Sequence, residues 1–151
     1  MYLKSIIVVL MLVISNSVAA QSNEACLKYA SYREASGESL EGIKAVLQVI
    51  RNRMRIDRMN ACQVVAKFGQ FPWFNSSVNW KVPKHFLTKY KEADMLESQV
   101  PDNAYYFNSQ KFKTFGVFYS KIGGHFFYLL DGAQSGIAAS ANENRVHKGD
   151  V

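Results

Sequence analysis

The chain is 151 residues long, which argues for a single domain, and a composition 48% hydrophobic and 13% aromatic excludes a disordered polymer. Its formal net charge of +6 suits an anionic partner such as cell wall, lipopolysaccharide or nucleic acid, and chooses among none of them.

Residues 1–20 stand apart. Lys4 gives a positive start, SIIVVLMLVIS follows as an uncharged apolar run, and Val18 and Ala20 are small residues placed as a signal peptidase requires. The run is well short of the roughly 20 apolar residues that span a bilayer. The expectation is a cleaved export signal ending at Ala20, with an uncleaved membrane anchor as the alternative. Cleavage removes Lys4 and leaves residues 21–151 with a formal charge of about +5. Both cysteines, Cys26 and Cys62, lie in this exported part. An even count in an exported chain predicts a disulfide, against the alternative of two buried free thiols.

Asn23 is placed to cap a helix from Glu24 to about Ser36, with Gly37 as its left-handed terminator. Ser39 caps a second helix, in which Leu40, Ile43, Leu47, Ile50 and Met54 form one apolar stripe. Asn60 caps a short third helix, ACQVVAKF, with Ala61, Val64, Val65 and Phe68 inward. GQFPWFNSSVNW has glycine, proline and aromatic rings without helical period and reads as a loop. Pro83 opens a fourth helix, KHFLTKYKEADMLESQ, with Phe86, Leu87, Tyr90 and Ala93 inward. AYYF, KTFGVFYSKI and HFFYLL are β-branched and aromatic, with Gly123-Gly124 as a tight turn between the last two. From residue 131 the chain is small and polar, which predicts a loosely held tail. The fold class is α+β, a helical body followed by a small aromatic β-hairpin, with one domain over 21–130.

Leu27, Ala30 and Glu34 are spaced by three and four, so they share one helix face, and the first two mark it as core-directed. Burial disfavours a bare carboxylate, which makes an inward glutamate a candidate proton donor. The structural alternatives are hydrogen bonds to the next helix or an ion pair with Arg53. Glu38 precedes the Ser39 cap, where a carboxylate supports the positive end of a helix dipole. The histidines His85, His125 and His147 lack paired metal-ligand spacing, and no GxSxG, Walker or GxGxxG motif occurs. No metal or cofactor is therefore expected. Trp73, Phe74 and Trp80 suit either core packing or stacking on sugar rings.

The motifs YREASGE, EGIKAVLQVIRNR, ACQVV, GQFPW, PDNAYYF and IGGHFFY, in that order, resemble the SleB-like cell-wall hydrolase family of spore cortex-lytic enzymes. The resemblance runs from about Leu27 to Tyr128, and the stretch from Phe74 to Lys91 departs from the pattern. It implies a lysozyme-like fold, close to lytic transglycosylases and goose-type lysozymes. It also implies cleavage of the β-1,4 bond between N-acetylmuramic acid and N-acetylglucosamine in peptidoglycan. The first glutamate of the family's E-A-x-G-E setting falls on Glu34 as the catalytic acid, with Glu38 as a supporting residue. Gln70 is then placed to hydrogen-bond an acetamido group, with Phe71 and Trp73 beside it and the hydroxyls of Tyr105, Tyr106 and Tyr128 along the cleft. No second carboxylate stands out in these motifs. That favours a transglycosylase over a hydrolase, which needs a partner carboxylate. The expected protein is an exported monomer acting on glycan strands, without nucleic acid and without stable membrane insertion once the signal is cut. A catalytically silent wall-binding protein is the alternative from another class. A basic exported nuclease is disfavoured because no metal-ligand cluster is legible.

Overall fold

The computed structural model describes residues 21–131 apart from 68, 76–77 and 112–115. The expectations for residues 1–20, for Phe68 and for the tail beyond 131 therefore lie outside the described residues. Four helices, α1 (Asn23–Ala35), α2 (Leu40–Ile56), α3 (Ala61–Ala66) and α4 (Lys84–Met95), precede the strands β1 (Ala104–Asn108), β2 (Val117–Ile122) and β3 (His125–Leu129). The architecture is α+β, as the sequence predicts.

The central element is α2. Its cap is Ser39, whose hydroxyl accepts from the Gly42 amide at 3.3 Å. Ile43, Ala45, Val46, Leu47, Val49 and Ile50 are all fully buried. The helix is thus enclosed on more sides than one apolar stripe would require, with α1, α3, α4 and β1 packed around it. Polar residues of α2 reach out to fix the neighbouring elements. Lys44 Nζ donates to the Asp94 carbonyl at 2.8 Å, which holds the end of α4. Asn52 Nδ2 donates to the carbonyls of Pro101 and Ala104 at 2.9 and 2.8 Å, and Arg53 Nε to that of Tyr105 at 2.7 Å. These bonds satisfy backbone groups that would otherwise be buried unpaired, and they set the start of β1 on the helix.

Four helix ends differ from expectation. Ser22, not Asn23, caps α1 by accepting from the Ala25 amide at 3.1 Å. Asn23 is the first helical residue, and its side chain accepts from the Ala61 amide at 3.1 Å, joining α1 to the start of α3. Gly37 is not left-handed, because Ser36 ends α1 in the right-handed conformation and the Ser39 cap begins α2 at once. At its far end α4 stops at Met95, since Leu96 is already extended. In α3 the capping box is complete, Asn60 and Gln63 each accepting from the other's amide at 2.9 Å. The helix ends at Ala66, short of the expected Phe68.

Cys26 on α1 and Cys62 on α3 form the expected disulfide. Beyond the expected hairpin, β1 pairs with β3 as well, giving a three-stranded antiparallel sheet in the order β1-β3-β2. Gly123 and Gly124 make the β2–β3 turn, with Gly123 left-handed at φ +57°. No helix among the described residues is long and apolar enough to cross a membrane.

Candidate active site

A cleft of about 240 Å³ opens where the end of α1, the last turn of α2, the loop after α3 and the tips of β1 and β3 meet. Glu34 and Arg53 come to it from the helices, Gly69, Gln70 and Pro72 from the loop, and Phe107, Asn108, Ser109 and His125 from the sheet end. The helical spacing that points Glu34 inward thus delivers it to a cleft wall, not to the sealed core. There it is half-buried.

Trp73 Nε1 donates a hydrogen bond to Glu34 Oε1. The indole that makes this bond is itself fixed. Its ring lies 5.4 Å from Tyr29 and 5.5 Å from Phe71, and the Arg33 guanidinium stands 5.3 Å above it. The ring therefore packs against α1 and orients the carboxylate. Phe74 and Trp80 continue that layer, with Trp80 5.2 Å from Tyr29 and Phe74 6.1 Å from Trp80. Phe71 is buried against Trp73 and Arg53 and does not line the cleft.

Arg53 is 4% exposed and lines the cleft. The ring centres of Phe71, Tyr105 and Phe107 lie 5.4–5.5 Å from its guanidinium carbon, a three-sided aromatic cage. Burial pulls its pKa down to about 10, partly offset by the nearby Tyr105, Asp57 and Glu34, so it stays charged at neutral pH. It is close enough to Glu34 to interact electrostatically, but no ion pair forms between them.

Glu38 sits away from the cleft. Its Oε2 accepts from the Gly124 amide at 2.8 Å, and its Oε1 lies 3.5 Å from His125 Nδ1. Three glycines make room for it: a Cβ on Gly42 would come within 2.9 Å of the Glu38 Cβ, and one on Gly124 within 2.6 Å of Oε1. The third, Gly123, would drive its Cβ into Oε2. Glu38 therefore locks the start of α2 to the β2–β3 turn and so sets His125 at the cleft.

Of the residues expected to touch substrate, the structure brings Glu34, Gln70 and Trp73 together. It places the three tyrosines elsewhere. The Tyr105 hydroxyl donates to Asp57 Oδ2 at 2.6 Å and receives a hydrogen bond from Lys67 Nζ at 3.2 Å. Burial, and then that bond to Asp57, push its pKa up. Tyr106 and Tyr128 face each other across β1 and β3, and neither lines the cleft. Arg53, Asn108, Ser109 and His125 were not expected to line it. Arg53 and His125 did stand in the motifs RNR and IGGH, but nothing in a linear motif shows that their side chains converge. Among the described residues, no three His, Cys, Asp or Glu side chains gather as metal ligands would.

Comparison with known families adds one finding. The model of the Cell Wall Hydrolase family matches residues 37–128, more than half of the chain, and the chain belongs to that family. The match begins three residues after Glu34 and contains Glu38, Gln70, Arg53 and His125. No curated protein and no solved structure matches the chain.

Proposed function

We propose that this cell wall hydrolase cleaves the β-1,4 bond between N-acetylmuramic acid and N-acetylglucosamine in peptidoglycan, with Glu34 as the acid and lytic transglycosylation as the reaction. The observation that carries this reading is the Glu34 carboxyl on the cleft wall, with one oxygen held by Trp73 and the group beside a caged cation. Glu34 gives its proton to the leaving glycosidic oxygen as the C1–O bond breaks. The resulting carboxylate takes the proton from the muramyl C6 hydroxyl, whose oxygen bonds to C1 and closes a 1,6-anhydro ring. The proton is returned, no water is consumed, and one carboxyl serves both steps.

Among the described residues lining the cleft, Glu34 is the only carboxylate. A retaining hydrolase requires a second one about 5 Å away, and an inverting one a base roughly 6.5–9.5 Å away, which supports the transglycosylase. A second reading has its own observation. His125 lines the cleft with Glu38 behind it, an arrangement in which the imidazole accepts a proton from water and the product is a reducing muramic end. The protein is also proposed to be exported, with residues 1–20 as a cleaved signal and glycan strands as its partner.

Glu34→Gln tests the acid. The amide keeps an oxygen for the Trp73 indole, so the fold is expected to survive, while muropeptide release falls about a hundredfold or more. Undiminished release would remove Glu34 from the mechanism.

A further inference from the structure

Val117, Phe118 and Tyr119 of β2 are 54%, 44% and 43% exposed, consecutive large side chains on a strand at the edge of the sheet. Contiguous apolar surface rimmed by polar groups marks a place where a protein meets something. The register shows which face is involved. The rings of Phe107, His125 and Phe127 cluster on the side where Arg53 of α2 meets Phe107. Alternation turns Asn108, Phe126 and Tyr128 to the opposite, outer face. Phe118 joins them there, its ring centre 6.4 Å from that of Phe126 and 5.8 Å from that of Tyr128.

Two lysines stand on the same face. Lys111 Nζ lies 4.9 Å from the ring centre of Phe118, and Lys121 Nζ lies 5.2 Å from that of Phe126. Both lysines are exposed, and neither forms an ion pair among the described residues. The three strands contain no Asp or Glu, and Asp131 follows β3 at the end away from the cleft. An exposed cation–π contact favours the parked lysine by only about two- to fivefold. Each ammonium can therefore turn to a carboxylate and leave its ring face to another group.

This face runs on from the cleft, because Asn108, which lines the cleft, is the register partner of Phe126. A polymer leaving the cleft past Asn108 meets Phe126 and Lys121 first, then Phe118 and Lys111. Peptidoglycan offers both complements, sugar C–H faces for the rings and stem-peptide carboxylates for the lysines. Lys111, Phe118 and Lys121 stand outside the six motifs of the family resemblance and outside the cleft.

On the reading that the cleft cuts peptidoglycan glycan, we propose that the outer face of the sheet is a second wall-binding surface. It holds the stretch of strand beyond the one being cut, with Phe118 and Phe126 under sugar rings and Lys111 and Lys121 on stem-peptide carboxylates.

The test measures co-sedimentation of the full exported chain, carrying Glu34→Gln to prevent digestion, with intact sacculi. Lys111→Gln together with Lys121→Gln should weaken binding about fivefold, and Phe118→Thr added to that pair at least about tenfold. Lys84→Gln together with Lys89→Gln removes the same charge from exposed positions of α4 and should stay within about twofold. On sacculi with methyl-esterified carboxyls, the Lys111 and Lys121 substitutions should lose their effect, to within about twofold. Equal losses from the two lysine pairs, or none from Lys111 and Lys121, overturn the proposal. Threonine suits an edge strand, and should Phe118→Thr fail to fold, the lysine pairs decide alone. Pelleting with phosphatidylglycerol vesicles that the triple variant loses, while its sacculus binding is unchanged, would identify a membrane surface instead. A dimer that the triple variant dissolves, again with sacculus binding unchanged, would identify a second copy, and either result overturns the proposal. Binding that depends on this face, without muropeptide release by the unmodified protein, would sink the glycosidase and leave the surface standing. Normal release with binding indifferent to the three residues would do the reverse.

Discussion

Glu34 and Glu38 lie four residues apart and are held in opposite ways. Glu34 presents its carboxyl to a cleft and receives one side-chain hydrogen bond, from Trp73. Glu38 packs against backbone, because a Cβ at Gly42, Gly123 or Gly124 would run into its side chain. A Cβ added at Gly124 would stand 2.6 Å from Glu38 Oε1, so Gly124→Ala is expected to destabilise the fold by about 1–3 kcal/mol. At Gly37, where a Cβ meets nothing within 4 Å, alanine should change stability by no more than about 0.5 kcal/mol. Urea denaturation of the two variants checks both, and equal effects would show that the enclosure of Glu38 is not what the glycines serve. Glu34 was legible in the sequence because helical spacing is local information. The partner of Glu38 was not, since the Gly124 amide lies 86 residues away and no periodicity connects them.

The helices were legible to the extent that one segment decides its own structure. The stripe and Ser39 cap of α2, the capping box of α3 and the glycine turn of the hairpin all follow from residues within a few positions of each other. The misread ends depend on distant partners. Ser22 and Asn23 are both competent caps, and the choice between them goes with an amide at Ala61 that engages Asn23 instead. At the other side, Arg51 grips Asp94 through both carboxylate oxygens at 2.5 and 3.0 Å, and α4 ends at the next residue. That grip and Lys44 hold the Asp94 carboxyl below its ordinary pKa. The disulfide also acts between elements, closing a loop of 36 residues from α1 to α3. Replacing Cys26 and Cys62 by alanine should lower stability by about 3–4 kcal/mol in the chain-entropy picture. Urea midpoints measured with and without a reductant check this. The reductant should lower the parent protein to the level of the double variant and leave the variant unmoved. No effect on the parent would remove the bridge as a stabilising element.

At the scale of the whole molecule, two helices, one loop and two strand tips converge on a single cleft. Six ordered motifs pointed to the cell-wall hydrolase family, and the family match over residues 37–128 agrees. They could not show that Arg53 and His125 come to one cleft while Tyr105, Tyr106 and Tyr128 do not line it, because that arrangement belongs to the packing of α2 against the sheet. A basic chain proposed to be exported, carrying one cleft carboxyl and no second carboxylate beside it among the described lining residues, supports the proposed cleavage of a glycan strand without water. Mass spectrometry of sacculi digested by the exported chain tests this most directly. The expected products are muropeptides ending in 1,6-anhydro-muramic acid, formed by the parent protein and absent with Glu34→Gln. Reducing muramic ends, or free stem peptides released from intact glycan strands, would contradict it.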